Sequence, residues 1–185
     1  MPVAFLSADQ VARYGRYNQD PTTAQLARYF YLDAADRHWI RRRRDLYLQM
    51  GLAVQLGTVR FLGTFLEKPL AVPECVITFI AEQLGYADVS GIALYSASET
   101  RFDHKIQICE RDGYRDFSDP FEQFALSRWL YTRSWYSADS PSVLFDLATS
   151  RLVERKVLLP GATTLERLVA YKGLYKKGQA GFITE

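Results

Sequence analysis

The order of apolar and polar positions along the chain reads as helix after helix, with little of the two-residue alternation of strands. Ser7 and Gln10 have the spacing of a capping box, which predicts a short helix to about Tyr14, ended by Gly15. After Asp20-Pro21, Thr22 and Gln25 repeat that spacing and open a helix burying Leu26, Tyr29 and Phe30. Tyr31-Leu32 is a turn. Asp33 caps a third helix with Asp36 in its first turn, running to about Arg44 and burying Trp39 and Ile40. Residues 45–66 are apolar almost all round, which predicts a helix central to a core. Its glycines, Gly51, Gly57 and Gly63, weaken a single straight element but permit close helix crossing.

Pro73 sits at the first turn of a helix that ends at Gly85. Residues 86–91 have the composition of a linker. Further helices are expected over roughly 98–111 and, capped by Ser118, over 119–136. Phe121, Phe124, Trp129, Tyr131 and Trp135 point several ways there, so burial on more than one side is expected. Ser140-Pro141-Ser142 opens a helix to residue 156. Thr163 and Glu166 form another capping box, followed by Leu165, Leu168 and Val169 on one stripe. The pattern fades from about Tyr171 onward, which reads as a frayed or disordered end. The expected class is all-α, with two small helical subdomains. The first spans 1–87 and the second 92–172, joined by a linker at 88–91 and followed by an atypical tail at 173–185.

Composition narrows the chemistry. Two cysteines, Cys75 and Cys109, exclude a disulfide scaffold or a Cys-rich zinc site, and read as small buried hydrophobes. Two histidines, His38 and His104, leave little for any metal, and His104 reads as a surface or half-buried structural residue. No phosphate-binding glycine loop, no G-x-G-x-x-G and no nucleophile elbow is present, so no cofactor and no enzyme class is supported. With no signal-peptide pattern and no apolar run of membrane-spanning length, the expectation is a cytoplasmic protein without a membrane partner.

The formal net charge of +2 hides an asymmetry. Residues 1–60 carry +4, residues 61–125 carry −6 and residues 126–185 carry +4. Basic ends around an acidic middle point to a polyanion at those ends, with solvated surface as the alternative.

Each basic end holds a candidate helix-turn-helix. In residues 22–44, helical spacing groups Arg37, Arg41 and Arg44 on one stripe beside His38 and Arg42. Arginines on an exposed helix face read guanine edges and bind phosphates. Surface pairs with Asp33 and Asp45 are the competing use of that charge. In residues 142–171, Arg151, Arg155 and Lys156 end one helix. Thr164, Arg167 and Tyr171 stripe the next, beyond a turn longer than the usual three or four residues. The cations at the first helix's end also suit its macrodipole.

The blocks FLSADQVARYGRY, PTTAQLARYFYLDAADR, LAVQLGTVRFLGTFL, GYRDFSDP, RWLY and PSVLFDLATSRLVERKVLLPGATTLERLVA run in order from about Met1 to Ala170. In them the chain resembles the N-terminal region of Tn-three family transposases. The resemblance implies an all-helical, sequence-specific DNA-binding region that recognises terminal inverted repeats through two helix-turn-helix subdomains. Family transposases are far longer, and their acidic metal-binding residues lie in the later part, so the resemblance implies no catalytic residue here. The implied partners are double-stranded DNA and other transposase subunits, in a bacterial cytoplasm at the nucleoid. Two alternatives stand beside it. One is a protein-interaction module using the acidic 61–125 block and the aromatic-rich 117–136 helix. The other is a truncated remnant that competes for transposon ends.

Overall fold

The computed structural model describes residues 5–179, with side chains to residue 171. The elements are α1 (Ala8–Arg13), α2 (Thr23–Tyr29), α3 (Ala34–Arg41), α4 (Leu46–Leu62), α5 (Glu74–Leu84), a 3-10 turn (Ser90–Ala93), α6 (Leu94–Ala97), α7 (Thr100–Asp112), α8 (Pro120–Tyr136), α9 (Pro141–Glu154) and α10 (Ala162–Gln179). The class is all-α. Among the described residues the sole extended pairing outside the helices is an isolated bridge between Arg115 and Val157.

Packing divides the chain into two compact units, Gly15–Tyr114 and Met1–Tyr14 with Arg115–Glu185. The expected boundary at 88–91 falls inside the first of these. The reason is Tyr95: it is fully buried, and its hydroxyl meets Gln55 on α4 and His104 on α7. A segment so anchored is no linker.

In the Gly15–Tyr114 unit, α4 is the axis, and α2, α3, α5, α6 and α7 pack against it. Its residues Gln49 to Val59 are all buried, as their apolar run predicts. Two glycines make the close crossings possible. A Cβ on Gly51 would stand 2.2 Å from the Tyr95 ring, and one on Gly57 would stand 2.3 Å from the Phe30 ring. The core is completed by Leu32, Ile40, Val76, Ile80, Leu84 and Ile108.

In the other unit, α10 packs on α8 and α9. The core gathers Phe117, Leu126, Leu130, Phe145, Ala148, Leu152, Leu165 and Val169, and Phe5, Leu6 and Tyr14 of the N-terminal segment pack against it. The Tyr14 ring packs tilted against Phe145 with centroids 5.1 Å apart, and its hydroxyl donates to the Pro160 carbonyl at 2.9 Å.

The boxes at Ser7/Gln10 and Thr22/Gln25 form as their spacing predicts, and Asp33 caps α3 as expected, with Asp36 completing a third box beyond its expected place in the first turn. Other local expectations are corrected. The third helix ends at Arg41 rather than Arg44, because the Arg43 amide turns back to the Ile40 carbonyl and Asp45 opens α4. Asp119, not Ser118, caps α8, with Pro120 at its first position. Thr163 is not a cap. The amides of Thr164 and Leu165 bond the Gly161 carbonyl, so α10 starts at Ala162 and Thr163 lies within its first turn.

The expected frayed end is helical to Gln179, since glycine inside a helix costs only about 1 kcal/mol relative to alanine. Residues 180–185, also part of that expectation, lie outside the described residues. Cys75 and Cys109 are half-buried rather than core residues, while His104 is fully buried. Finally, α8 does not bury its aromatics on several sides: Phe121, Phe124, Tyr131 and Trp135 are exposed.

Candidate nucleic-acid interface

The first basic site is built on α3. Its N-terminus is fixed by reciprocal bonds: the Asp36 amide donates to Asp33 at 2.7 Å and the Asp33 amide to Asp36 at 3.4 Å. Asp33 is thereby committed to the cap. Asp36 is 1% exposed and carries more than a capping role. Arg60 of α4 donates to both its oxygens at 2.8 and 3.1 Å, and Arg111 of α7 donates at 2.6 Å. Burial penalises the carboxylate's charge. The hydrogen bonds and positive charges of Arg60 and Arg111 outweigh that cost and hold its pKa below the usual carboxylate range. Three helices are thus clamped at one ion cluster.

The clamp orients the rest of α3. Trp39 is half-buried, and the guanidinium carbons of Arg43 and Arg111 lie 5.3 and 4.5 Å from its ring centroid. Arg43 also donates to Gln107, so it faces inward. Ahead of α3, the Leu32 amide donates to Gln83 at 2.7 Å, and Gln83 donates to the Phe30 carbonyl at 3.0 Å. The α2–α3 connection is therefore pinned to α5, and α2 and α3 both lean on α4.

Outside this frame stand the predicted cations. Arg37 is partly exposed, and His38, Arg41 and Arg42 are exposed. Helical spacing pairs Arg37 with Arg41 and His38 with Arg42 as adjacent ridges. Arg44 is exposed too, but it lies in the turn after α3, so the three-arginine stripe does not form as one helical row. Arg41 has a structural duty as well: its Nη2 donates to the Leu84 carbonyl at 3.3 Å, at the carbonyl end of α5.

The second basic site spans the end of α9 and the start of α10. Arg155 is the C-cap, and Lys156 follows with φ +54°, the left-handed conformation. The Lys156 amide bonds Val153 and the Val157 amide bonds Leu152, which is a Schellman turn with lysine at the position glycine favours. The turn is tied down by Arg115. Its amide donates to the Lys156 carbonyl at 2.9 Å, and its carbonyl accepts from Leu158 at 2.8 Å. The Arg115 side chain pairs with the buried Glu122, which Arg155 also approaches at 3.7 Å.

Arg155 is therefore held by a carboxylate of α8. Arg151 lies over Trp129 at 5.0 Å. Thr164, Arg167 and Tyr171 are exposed on α10, at helical spacing on one side. The structure thus places seven of the predicted residues, His38, Arg42, Arg44, Lys156, Thr164, Arg167 and Tyr171, at the surface, with Arg37 partly exposed. Arg41, Arg151 and Arg155 have partners within the fold.

Sequence reasoning missed Arg60, Arg111, Gln83, Arg115 and Glu122. The capping box around Asp36 is a local signal. Its arginine partners lie 24 and 75 residues away, and no spacing marks them. Among the described residues no group of three or more His, Cys, Asp or Glu could hold a metal ion, and no helix is long and apolar enough to cross a membrane.

Residues 5–171 match the family described as Domain of unknown function (DUF4158). The chain is 45% identical over 171 residues to the transposase for transposon gamma-delta of Escherichia coli (strain K12). That alignment covers 92% of this chain and 17% of the relative. It is 27% identical over 145 residues to the transposase for transposon Tn1546 of Enterococcus faecium, covering 78% of this chain and 14% of that one. It is 26% identical over 148 residues to the transposase for transposon Tn3926 of Escherichia coli, covering 79% and 14%. The chain spans less than a fifth of the length of the curated relatives it matches. It belongs to the DUF4158 family and resembles the N-terminal region of Tn-three family transposases.

Proposed function

We propose that this chain binds duplex DNA at the terminal inverted repeats of a transposon, as the non-catalytic N-terminal part of a Tn-three type transposase. The observation that carries the reading is the cationic edge of α3. Arg37, His38, Arg41 and Arg42, with Arg44 beyond, stand outward on a helix whose inner side is locked by Asp36, Arg60 and Arg111. A preorganised helix with outward arginines suits phosphate contact and the bidentate reading of guanine. Thr164, Arg167 and Tyr171, with Lys156 and the ends of α9, form a second contact in this reading. Arg155 and Arg151 then serve mainly to shape the α9–α10 turn. The place of action is the bacterial cytoplasm at the nucleoid, and no catalytic or metal-binding role is proposed for any residue here.

The test is a binding titration with a duplex carrying the terminal inverted repeat of transposon gamma-delta against a scrambled duplex. Tighter binding to the repeat is expected, with affinity falling steeply as salt rises because each neutralised phosphate releases counterions. Arg42→Ala and Arg44→Ala should each weaken binding severalfold, and a residue on phosphate should lower the salt slope by about 1. Equal affinity for repeat and scrambled duplex at moderate salt sinks sequence-specific recognition. Unchanged affinity in both variants removes the C-terminal end of α3 and the turn after it from the interface.

A further inference from the structure

Helix α8 is apolar on two opposite faces. One face supplies Leu126 and Leu130 to the core, with Glu122 and Ser134 buried beside them. On the other, Phe121, Phe124, Tyr131 and Trp135 are 65, 63, 45 and 57% exposed, and Tyr136, at the edge of the face, is 88% exposed. With Arg128 the sequence of positions is 121, 124, 128, 131, 135. These alternate by three and four residues, which is the a/d pattern of a helix seam rather than of a solvated surface. Small residues border the row, Ala125 and Thr132 on one side and Ser127 on the other. A contiguous aromatic patch of this size marks an interaction site.

We propose that this face is a docking surface for the same face of a second copy of the chain, the two α8 helices pairing antiparallel about a two-fold axis. Such contacts are self-complementary by symmetry. In the antiparallel register that sets a positions against d positions, Phe124 meets Trp135 of the second copy and Arg128 meets Tyr131 of the second copy. The row's single charge is then stacked on an aromatic ring instead of buried unpaired. At about 200 Å² for each aromatic side chain, the observed exposures amount to at most roughly 600 Å² per copy. Complete cover of both faces therefore bounds the burial of a pair at about 1,200 Å², the lower edge of specific interfaces, so the expected dimer is a weak and reversible one. A single-stranded nucleic acid fits the face less well, because stacking platforms of that kind are lined by a track of cations and this one offers Arg128 alone.

Sedimentation velocity of the 185-residue chain, under reducing conditions because Cys75 and Cys109 stand outside any disulfide, reads the proposal directly. A reversible dimer should appear over a range of about 1 to 200 micromolar. Phe124→Glu and Trp135→Glu should each weaken dimerisation at least tenfold. Both side chains lie in solvent, so the helical circular dichroism should not change. The milder Tyr131→Ala supplies the same readout should either glutamate perturb the helix. Oligothymidine should leave tryptophan fluorescence unchanged. A monomer at every concentration, or a dimer untouched by these substitutions, overturns the proposal. So does oligothymidine quenching that disappears in Trp135→Glu, which would give the face to single-stranded nucleic acid.

Discussion

Asp36 and His104 govern how the Gly15–Tyr114 unit responds to acid. His104 is fully buried, its Nδ1 shares a hydrogen bond with the Tyr95 hydroxyl at 2.8 Å, and burial lowers its pKa from 6.5 to about 4. Between those values the unfolded chain takes up a proton that the folded form refuses, so stability falls as pH drops from 6.5 towards 4. Asp36 acts in the same direction lower down. Its folded pKa is below the ordinary carboxylate value, so its stabilisation is present above that value and is lost as pH falls through the folded one. Urea unfolding at a series of pH values should show both losses in sequence. His104→Gln should flatten the limb between pH 6.5 and 4 and leave the lower limb in place. An unchanged upper limb would show that His104 is protonated in the folded protein.

At the scale of elements, the turn between α9 and α10 stores strain. Lys156 occupies the left-handed conformation at φ +54°, which a residue with a Cβ adopts at a cost that glycine avoids. Lys156→Gly should stabilise the protein by about 0.5–1 kcal/mol, measured by urea denaturation. Equal or lower stability would mean that the lysine side chain's own interactions outweigh the strain. The same variant divides structure from binding: a more stable protein with weaker DNA affinity would place the Lys156 charge at the interface. The capping boxes of α1 and α2 and the Asp33 cap of α3 were legible because each is a three-residue relation between side chain and amide. Thr163 and Glu166 have the same spacing and form no cap. The preceding Gly161 carbonyl took the first helical bonds, and two competing starts two residues apart look alike in sequence.

At the scale of the molecule, residues 1–14 belong with residues 115–185 although a hundred residues separate them. The joint is chemical. The Tyr14 hydroxyl donates to Pro160, Gln10 bonds Ser142, and Arg13 pairs with Asp146 at 3.0 Å. Tyr14→Ala removes a large side chain packed on Phe145 and leaves the Pro160 carbonyl without its donor. It should cost about 3 kcal/mol. Hydrogen exchange should report the loss in α9 and the first turns of α10, while the buried amides of α4 keep their protection. Equal loss in both units would show that they unfold as one. The expected boundary at 88–91 failed at this scale. Polar, glycine-containing composition resembles a linker, and only the burial of Tyr95 against Gly51 reveals that the segment is packed.

The sequence by itself determined the helical class, most helix starts and stops, the central burial of α4 and the kinship with transposases. These rest on short-range periodicity and capping, or on long blocks of matching residues. It also marked His38, Arg42, Thr164, Arg167 and Tyr171 as surface groups, which helical spacing alone can do, whereas Arg44 is exposed from a turn and not from the expected helical stripe. The tertiary structure decided which charges are already committed. Asp36 is spent on Arg60 and Arg111, Glu122 on Arg115 and Arg155, and Arg41 on Leu84. It decided too that Phe121, Phe124, Tyr131, Trp135 and Tyr136 of α8 lie in solvent while Trp129 packs on the core. A helix apolar on every side looks alike in sequence whether its second face meets its own core or nothing at all, because burial depends on which partner arrives and not on the periodicity that calls for one.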